Sequence, residues 1–300
     1  MSDNNSPTSP TFAFFGTGAL AESVLAALVQ SGYIPRLIVT KPDSPSGRHM
    51  EIQSPHIKTW ADMKGIKTFQ PETLKDIGTS SPLHSEHFDL FIVASYGKII
   101  PSDILSIPKH GVLNVHPSLL PEYRGASPIE SVLLDGKMTT GVTIMKLDEG
   151  MDHGPILVQT AFIIDTEATA GTLEVTCGQI GGDLLTKVIP SYLDGSLIPK
   201  EQDHSKATIC KKIDKSLGEV QLSDSATLVC RKFRALTPWP GIYFFHKHHD
   251  KMIRVKITKI HLTNIVLPEA TAHEVIESVI PEGKKEMDWE SFKRGYMDSH

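Results

Sequence analysis

Asn114 and His116 stand two residues apart at the end of an apolar run, Val112–Leu113–Asn114–Val115–His116, which Pro117 stops. A carboxamide beside an imidazole suits the polarisation of a carbonyl group and the handling of a proton near neutral pH. A buried strand that delivers two polar side chains to its C-terminal end is also how open α/β sheets build sites, in the crevice outside the strand ends. The following loop, Pro117 to Gly125, contains two prolines and a glycine, which hold its backbone close to one path. Tyr123 and Arg124 in that loop offer a stacking face and a charged fork. A lone Asn-x-His at a strand end is more often a satisfied hydrogen-bonding pair than a catalytic one, so the rest of the chain has to decide.

The elements around this pair alternate strand and helix. Residues 11–16 (TFAFFG) read as an apolar strand, and Gly16-Thr17-Gly18 turns into a helix with Leu20, Val24, Leu25, Leu28 and Val29 spaced at three and four. Gly32 ends that helix and a strand over 36–40 follows, a βαβ unit of the Rossmann kind. GTGALA meets the loose dinucleotide-binding fingerprint, but the second strand ends Val39-Thr40-Lys41-Pro42, without the acid that would bond a ribose hydroxyl. An NAD(P)-dependent oxidoreductase is therefore a remote alternative.

The alternation continues through a long loop over 41–55, a helix over 56–64, a strand over 67–70 and a short helix near 72–77. A loop that long inside a compact domain is usually functional or disordered. Residues 89–94 (DLFIVA) read as a strand covered on both faces, and Ser95-Tyr96-Gly97-Lys98 leaves its end beside the loop after His116. Another helical turn is expected within 99–107. Beyond the central motif come a helix over 128–134, a strand over 140–147, a turn rich in glycine and acid over 148–154, a strand over 155–164, a helix over 171–193 and a polar linker over 194–206. The last part changes character, with helical periodicity over 225–236, the segment Pro238-Trp239-Pro240-Gly241, and short strands over 242–245, 252–260, 261–266 and 272–280.

The expected fold is thus α/β, a Rossmann-like, doubly wound, mostly parallel sheet followed by a small, shortened OB-like β-barrel. Residues 1–10 read as a disordered lead, 11–193 as the catalytic domain, 194–206 as the linker and 207–300 as the barrel domain.

Composition agrees with a globular chain: 300 residues, 40% hydrophobic and 22% charged. No apolar run approaches the roughly 18–20 residues that span a bilayer, and the polar start MSDNNSPTSPT lacks the regions of a signal peptide. Cys177, Cys210 and Cys230 are odd in number and widely spaced, which fits a reducing cytoplasm and neither disulfides nor a cysteine zinc site. His246, His248 and His249 read as an exposed hairpin turn, and no metal is expected. The net charge of −5 is unevenly placed: residues 1–205 carry 14 Lys+Arg against 23 Asp+Glu, and residues 206–300 carry 16 against 12. A basic second domain on an acidic first one suggests a polyanionic partner.

Read together, LNVHPSLLPEYRGASPI and GVTIMKLDEGMDHG resemble the signature of enzymes that use 10-formyltetrahydrofolate, within which the chain is identified as similar to the methionyl-tRNA formyltransferase family. KPDSPSGRHMEIQSPHIK is similar to that family's inserted loop, and RALTPWPGIYF and VIPEGKKEMDWESFKRG to its C-terminal signatures. The resemblance implies a catalytic trio of Asn114, His116 and Asp152, with Asp152 taken from the Met151-Asp152-His153-Gly154 turn. It implies folate contacts at Ser118, Leu119, Leu120 and Pro121, and the rest of a pterin pocket from Tyr96, Gly97, Leu147 and Asp148. With the charge pattern it points to Arg48, Arg124, Lys211, Lys212 and Arg234 as contacts for a tRNA acceptor arm. The implied co-substrate is 10-formyltetrahydrofolate and the implied partner methionyl-initiator tRNA, with no DNA, no membrane, and a monomeric, cytoplasmic protein.

The chain departs from the family where His49, Met50 and Glu51 replace lysines after Arg48, where GTGALA replaces GTPxFA, and between Ile260 and Pro281, which is short. Two other readings stand beside this one: formyl transfer to a sugar nucleotide or purine precursor, and a non-catalytic RNA-binding protein.

Overall fold

The computed structural model describes residues 9–46, 51–75, 77–261 and 270–297. It forms two compact units, the first of Met1–Ala126, Thr140–Phe162 and Glu174–Cys210, the second of Ser127–Thr139, Ile163–Leu173 and Lys211–His300.

The chain runs β1 (Phe12–Gly16), α1 (Ala19–Gln30), β2 (Leu37–Val39), β3 (Ser44–Ser46), β4 (Glu51–Gln53), α2 (His56–Met63), β5 (Lys67–Phe69), α3 (Pro82–Ser85), β6 (Leu90–Ala94), α4 (Ser102–Leu105) and β7 (Val112–His116). It continues through β8 (Arg124–Gly125), α5 (Pro128–Leu134), β9 (Thr139–Lys146), β10 (Ile156–Ile163), α6 (Ala170–Leu193) and β11 (Ile209–Cys210). Last come α7 (Ala226–Leu236), β12 (Ile242–His248), β13 (Lys251–Ile260), α8 (Ala272–Val275), β14 (Ile276–Pro281), β15 (Met287–Asp288) and α9 (Trp289–Phe292).

Seven strands form one sheet in the order β10-β9-β7-β6-β1-β2-β5. From β5 through β7 the pairs are parallel, and β9 runs antiparallel to β7. The chain winds from β1 to β2 and β5 on one side, then crosses to β6 and β7 on the other. The winding reverses at β1, and such a switch point opens a crevice at the carboxyl ends of the strands.

Every residue of β1, β6 and β7 is buried, as a sheet covered on both faces requires. One face lies under α1 and α6, which approach closely because α6 carries glycines there. A Cβ at Gly178 would meet the Leu20 carbonyl, one at Gly182 the Ala27 methyl, and one at Gly181 the Val115 side chain. The other face holds a cluster of Phe15, Phe88, Phe91, Val93, Tyr96 and Val112. Its rings meet edge-on or tilted at 5.1–5.5 Å, and such pairs contribute about 0.5–1.5 kcal/mol each beyond burial.

The GTG turn serves packing. A Cβ on Gly16 would lie 2.8 Å from the Ala94 carbonyl and 2.6 Å from the Ala21 methyl. At the end of β2 the buried Thr40 hydroxyl meets the Thr17 hydroxyl at 3.1 Å.

In the second unit α7 lies against α5 and α8, and β12-β13-β14-β15 form a small antiparallel sheet. Phe244, Trp289 and Phe292 pack as its aromatic core, with Phe244 edge-on to both neighbours.

Two expected elements differ. No helix forms at 72–75; the helical turn sits instead at Pro82–Ser85, where Pro82 occupies the first turn and supplies a helical φ without needing a donor. The strand expected over 272–280 begins as one helical turn, because the Glu274 carboxylate takes the Thr271 N–H at 2.6 Å and caps it. The strand expected over 261–266 lies, apart from His261, outside the described residues.

Candidate active site

Asn114 and His116 alternate with Val115 along β7, so they project from the face opposite the one that packs on Gly181. They are only 8% and 4% exposed. Val112 shares their face and belongs to the aromatic cluster, which gives the pair a rigid floor.

His116 has two distinct nitrogens. Nε2–H donates to the Tyr123 carbonyl at 2.9 Å, and Nδ1 lies 3.6 Å from Oδ1 of Asp152. The other carboxylate oxygen of Asp152 accepts the Gly125 N–H at 2.8 Å. Asp152, Tyr123 and Ser95, at the crevice edge, all adopt left-handed backbone conformations, with φ of 50°, 59° and 50°. Such conformations cost of order 1–3 kcal/mol each in non-glycine residues and persist where surrounding contacts over-determine them. Among the described residues the Asn114 carboxamide has no hydrogen-bond partner in the protein. A largely buried amide in that state is a donor and acceptor set available to a ligand.

The loop after β7 is stitched down from beneath. The Ser118 hydroxyl donates to the Glu122 carbonyl at 2.7 Å. Thr143 of β9 donates to the Ser118 carbonyl at 2.6 Å and accepts the Leu120 N–H at 3.2 Å. Gln159 of β10 donates to the Leu120 carbonyl and to the Thr143 hydroxyl. Leu120-Pro121 is cis, and Leu119 packs where Gly141 leaves room.

The remaining expected pocket residues divide by role. The Tyr96 side chain is a core group, edge-on to Phe15, and burial pushes its phenol up to about 12. Its hydroxyl has no partner among the described residues, and Ser95 and Gly97 are the exposed residues of that loop. Lys98 anchors the loop by donating to the Pro71 and Glu72 carbonyls. Leu147 packs against the same core, while the Asp148 carboxylate accepts from the Gly150 N–H at 2.9 Å and from His153 Nδ1 at 2.7 Å.

Of the residues expected to meet a polyanion, Arg48 lies outside the described residues. Arg124 is 8% exposed and donates through Nε and Nη2 to the Gln202 side-chain oxygen at 3.1 and 2.6 Å. The Arg234 guanidinium donates to the carbonyls of Ala168 and Asp165. Lys211 and Lys212 are exposed, and with Lys232 they line a groove of about 520 Å³ in the second unit. The structure thus brings two of the five together and turns Arg124 and Arg234 inward.

Sequence reasoning missed Gln202, Thr143 and Gln159. Thr143, a fully buried hydroxyl inside an apolar strand, was a readable signal, since buried polar groups need partners. Gln202 sits in the segment read as linker, and nothing in its local pattern marks it. That segment pairs within the first unit, where Ile156 and Lys200 exchange backbone hydrogen bonds, and just beyond it β11 pairs parallel with β8. Among the described residues no group of three or more His, Cys, Asp or Glu side chains could hold a metal ion, and no helix is long and apolar enough to cross a membrane.

Residues 11–189 match the family described as formyl transferase, and residues 212–269 match the formyl transferase C-terminal domain. The methionyl-tRNA formyltransferase of Chloroflexus aurantiacus is 40% identical over 253 residues, covering 84% of this chain and 82% of that one. The enzyme of the same name from Thermodesulfovibrio yellowstonii is 37% identical over 292 residues, covering 94% of each. Among solved structures, HypX from Aquifex aeolicus in complex with tetrahydrofolic acid aligns with a TM-score of 0.63 at 14% identity, over 97% of this chain and 48% of that one. A 4-N formyltransferase from Francisella tularensis aligns at 0.60 and 18% identity, over 81% and 95%.

Proposed function

Because the chain belongs to the formyl transferase family, we propose that it transfers the formyl group of 10-formyltetrahydrofolate to the free amino group of methionyl-tRNA. The observation that carries this reading is the pairing of His116 with Asp152 beside a buried Asn114, without a partner among the described residues, at the carboxyl end of β7. The long identity with relatives named methionyl-tRNA formyltransferase supports the acceptor.

The folate carries the formyl group as an activated amide. The crevice suits such a carbonyl: the Asn114 amide is a donor set without a partner among the described residues, and the neighbouring loops present backbone over a rigid apolar floor. Attack by the amine on the formyl carbon places negative charge on the formyl oxygen. Asn114 donates an N–H to that oxygen, and one such donor contributes about 2.7–4 kcal/mol where it has been removed in other enzymes. His116 has Nε2–H held by the Tyr123 carbonyl, so Nδ1 is the nitrogen that takes the proton from the attacking amine and returns it to N10 as the formyl C–N10 bond breaks and tetrahydrofolate leaves. Asp152 orients that nitrogen and shares its proton, as a carboxylate fixed by the Gly125 N–H can. No protein side chain forms a covalent bond to the formyl group.

Lys211 and Lys212, in their groove, are the described residues best placed to meet tRNA phosphates. The buried thiols of Cys177 and Cys230 suit a reducing, cytoplasmic setting.

The test is formylation of methionyl-tRNA by the purified protein with 10-formyltetrahydrofolate, run beside an amino-sugar nucleotide acceptor. Product from the tRNA alone supports the reading, and product from the sugar alone replaces the acceptor while keeping the chemistry. The sugar reading is the second one, because a neighbouring fold, the N-formyltransferase from Helicobacter canadensis in complex with folinic acid and dTDP-3-aminofucose, aligns at a TM-score of 0.57.

A further inference from the structure

Gln202 lies in the polar segment after α6, far in sequence from β7, yet its amide is 6% exposed and uses its full hydrogen-bonding capacity. Nε2 donates to the Asp152 carbonyl at 2.9 Å and to the Gly154 carbonyl at 2.7 Å. Oε1 accepts both Arg124 contacts, Nε at 3.1 Å and Nη2 at 2.6 Å. Arg124 precedes Gly125, whose N–H holds the Asp152 carboxylate. A closed ring results: Asp152 carboxylate to Gly125 N–H, along the chain to Arg124, across to Gln202, and back to the Asp152 carbonyl.

We infer that Gln202, braced by Arg124, is a positioning residue for Asp152. The physical need is specific. Asp152 sits at φ 50°, a conformation an L-residue leaves readily unless its neighbours are held. One carboxamide that grips the carbonyls of residues 152 and 154 fixes the turn at the strained residue and two residues beyond it. The Arg124 fork keeps the amide from flipping, because reversing it would face the guanidinium with an NH2 group and two carbonyls with an oxygen. The brace extends outward. Arg124 Nη2 donates to Nδ1 of His204 at 2.9 Å, and the His204 ring stacks on His153 at 4.1 Å with the planes 5° apart. His153 in turn donates to Asp148 at the start of the same turn. The strap is held in register by Arg124 N–H to the Thr208 carbonyl and Ala126 N–H to the Cys210 carbonyl.

This inference rests on the proposed role of Asp152, and a double-mutant cycle separates the two. Gln202→Leu removes the donors and the acceptor. Gln202→Glu keeps an acceptor for Arg124 but sets an oxygen against the two carbonyls. Both variants are expected to lose on the order of 10- to 100-fold in kcat, since small misplacements of catalytic groups have effects of that size, with KM for the folate within about twofold. Combining Gln202→Leu with Asp152→Asn should cost nothing beyond Asp152→Asn alone, measured by single turnover with excess enzyme. A residue that merely stabilised the fold would lower the rate by the same factor in both backgrounds, and that outcome overturns the inference. Wild-type kcat in a folded Gln202→Glu protein overturns it as well, and this variant decides if Gln202→Leu does not fold. Full activity in Asp152→Asn would remove the catalytic reading of Asp152 itself, and this inference with it.

Discussion

The Thr143 hydroxyl donates to the Ser118 carbonyl at 2.6 Å and ties β9 to the loop that follows His116. The same oxygen accepts from Leu120 N–H and Gln159, so one fully buried hydroxyl fixes the loop that the folate is proposed to meet. Thr143→Val keeps the shape and leaves those groups unpaired. Unfolding in urea should show a loss of about 1–3 kcal/mol, and KM for the folate should rise more than kcat falls. Unchanged values for both would mean that the tie carries no weight.

The trio should separate binding from chemistry. His116→Ala and Asp152→Ala are each expected to lose ~10²-fold or more in kcat with folate binding largely kept, and Asn114→Ala to lose ~10²–10³-fold. Steady-state rates and folate titration of the folded variants check this. Near-normal turnover in any one of them would strike that residue from the mechanism.

For the groove, Lys211→Ala with Lys212→Ala should raise KM for methionyl-tRNA and leave that for the folate alone. The slope of log affinity against log salt should also become shallower by roughly one for each phosphate that the lysines no longer neutralise. An unchanged slope would move the tRNA-binding surface elsewhere.

Gly125 has φ 114°, and a Cβ there would run into the Cys210 carbonyl. Gly125→Ala therefore meets both a disfavoured backbone and a clash, and should cost at least about 1–3 kcal/mol. Because the Gly125 N–H holds Asp152, kcat should fall further than in a distant variant matched for stability. Thermal melts and rates together test the point.

Burial pushes the Cys177 thiol up to about 12 and the Cys230 thiol up to about 11. Neither should react with a thiol reagent at pH 8 until the protein is unfolded. The sign for stability follows: the native state holds these protons longer than the unfolded chain does. This contribution is therefore whole below the ordinary thiol value and falls away as pH rises from there towards about 11–12. Reagent titration of native and denatured protein, and urea midpoints across that window, measure both effects.

Much of the first unit was legible because its signals are local. Apolar runs at β1, β6 and β7 and the three-and-four spacing of α1 follow from burial on two faces and on one stripe. What was misread also has local causes. Residues 72–75 carry helix-forming composition but no helix, while Pro82 starts one nearby. Arg124 reads as a surface cation because charge in a loop is normally solvated, and only the arrival of Gln202, 78 residues away, shows it to be buried.

By itself the sequence determined the order of elements, the apolar strand that ends in Asn114 and His116, and, through its likeness to a family, the identity of Asp152 as their partner. Tertiary structure decided which nitrogen of His116 faces that carboxylate, that Asp152 is held in a left-handed turn, and that a residue of the linker segment holds it there. Those facts depend on hydrogen bonds between segments 27 to 78 residues apart. No periodicity or spacing within one segment records which distant donor will meet which acceptor.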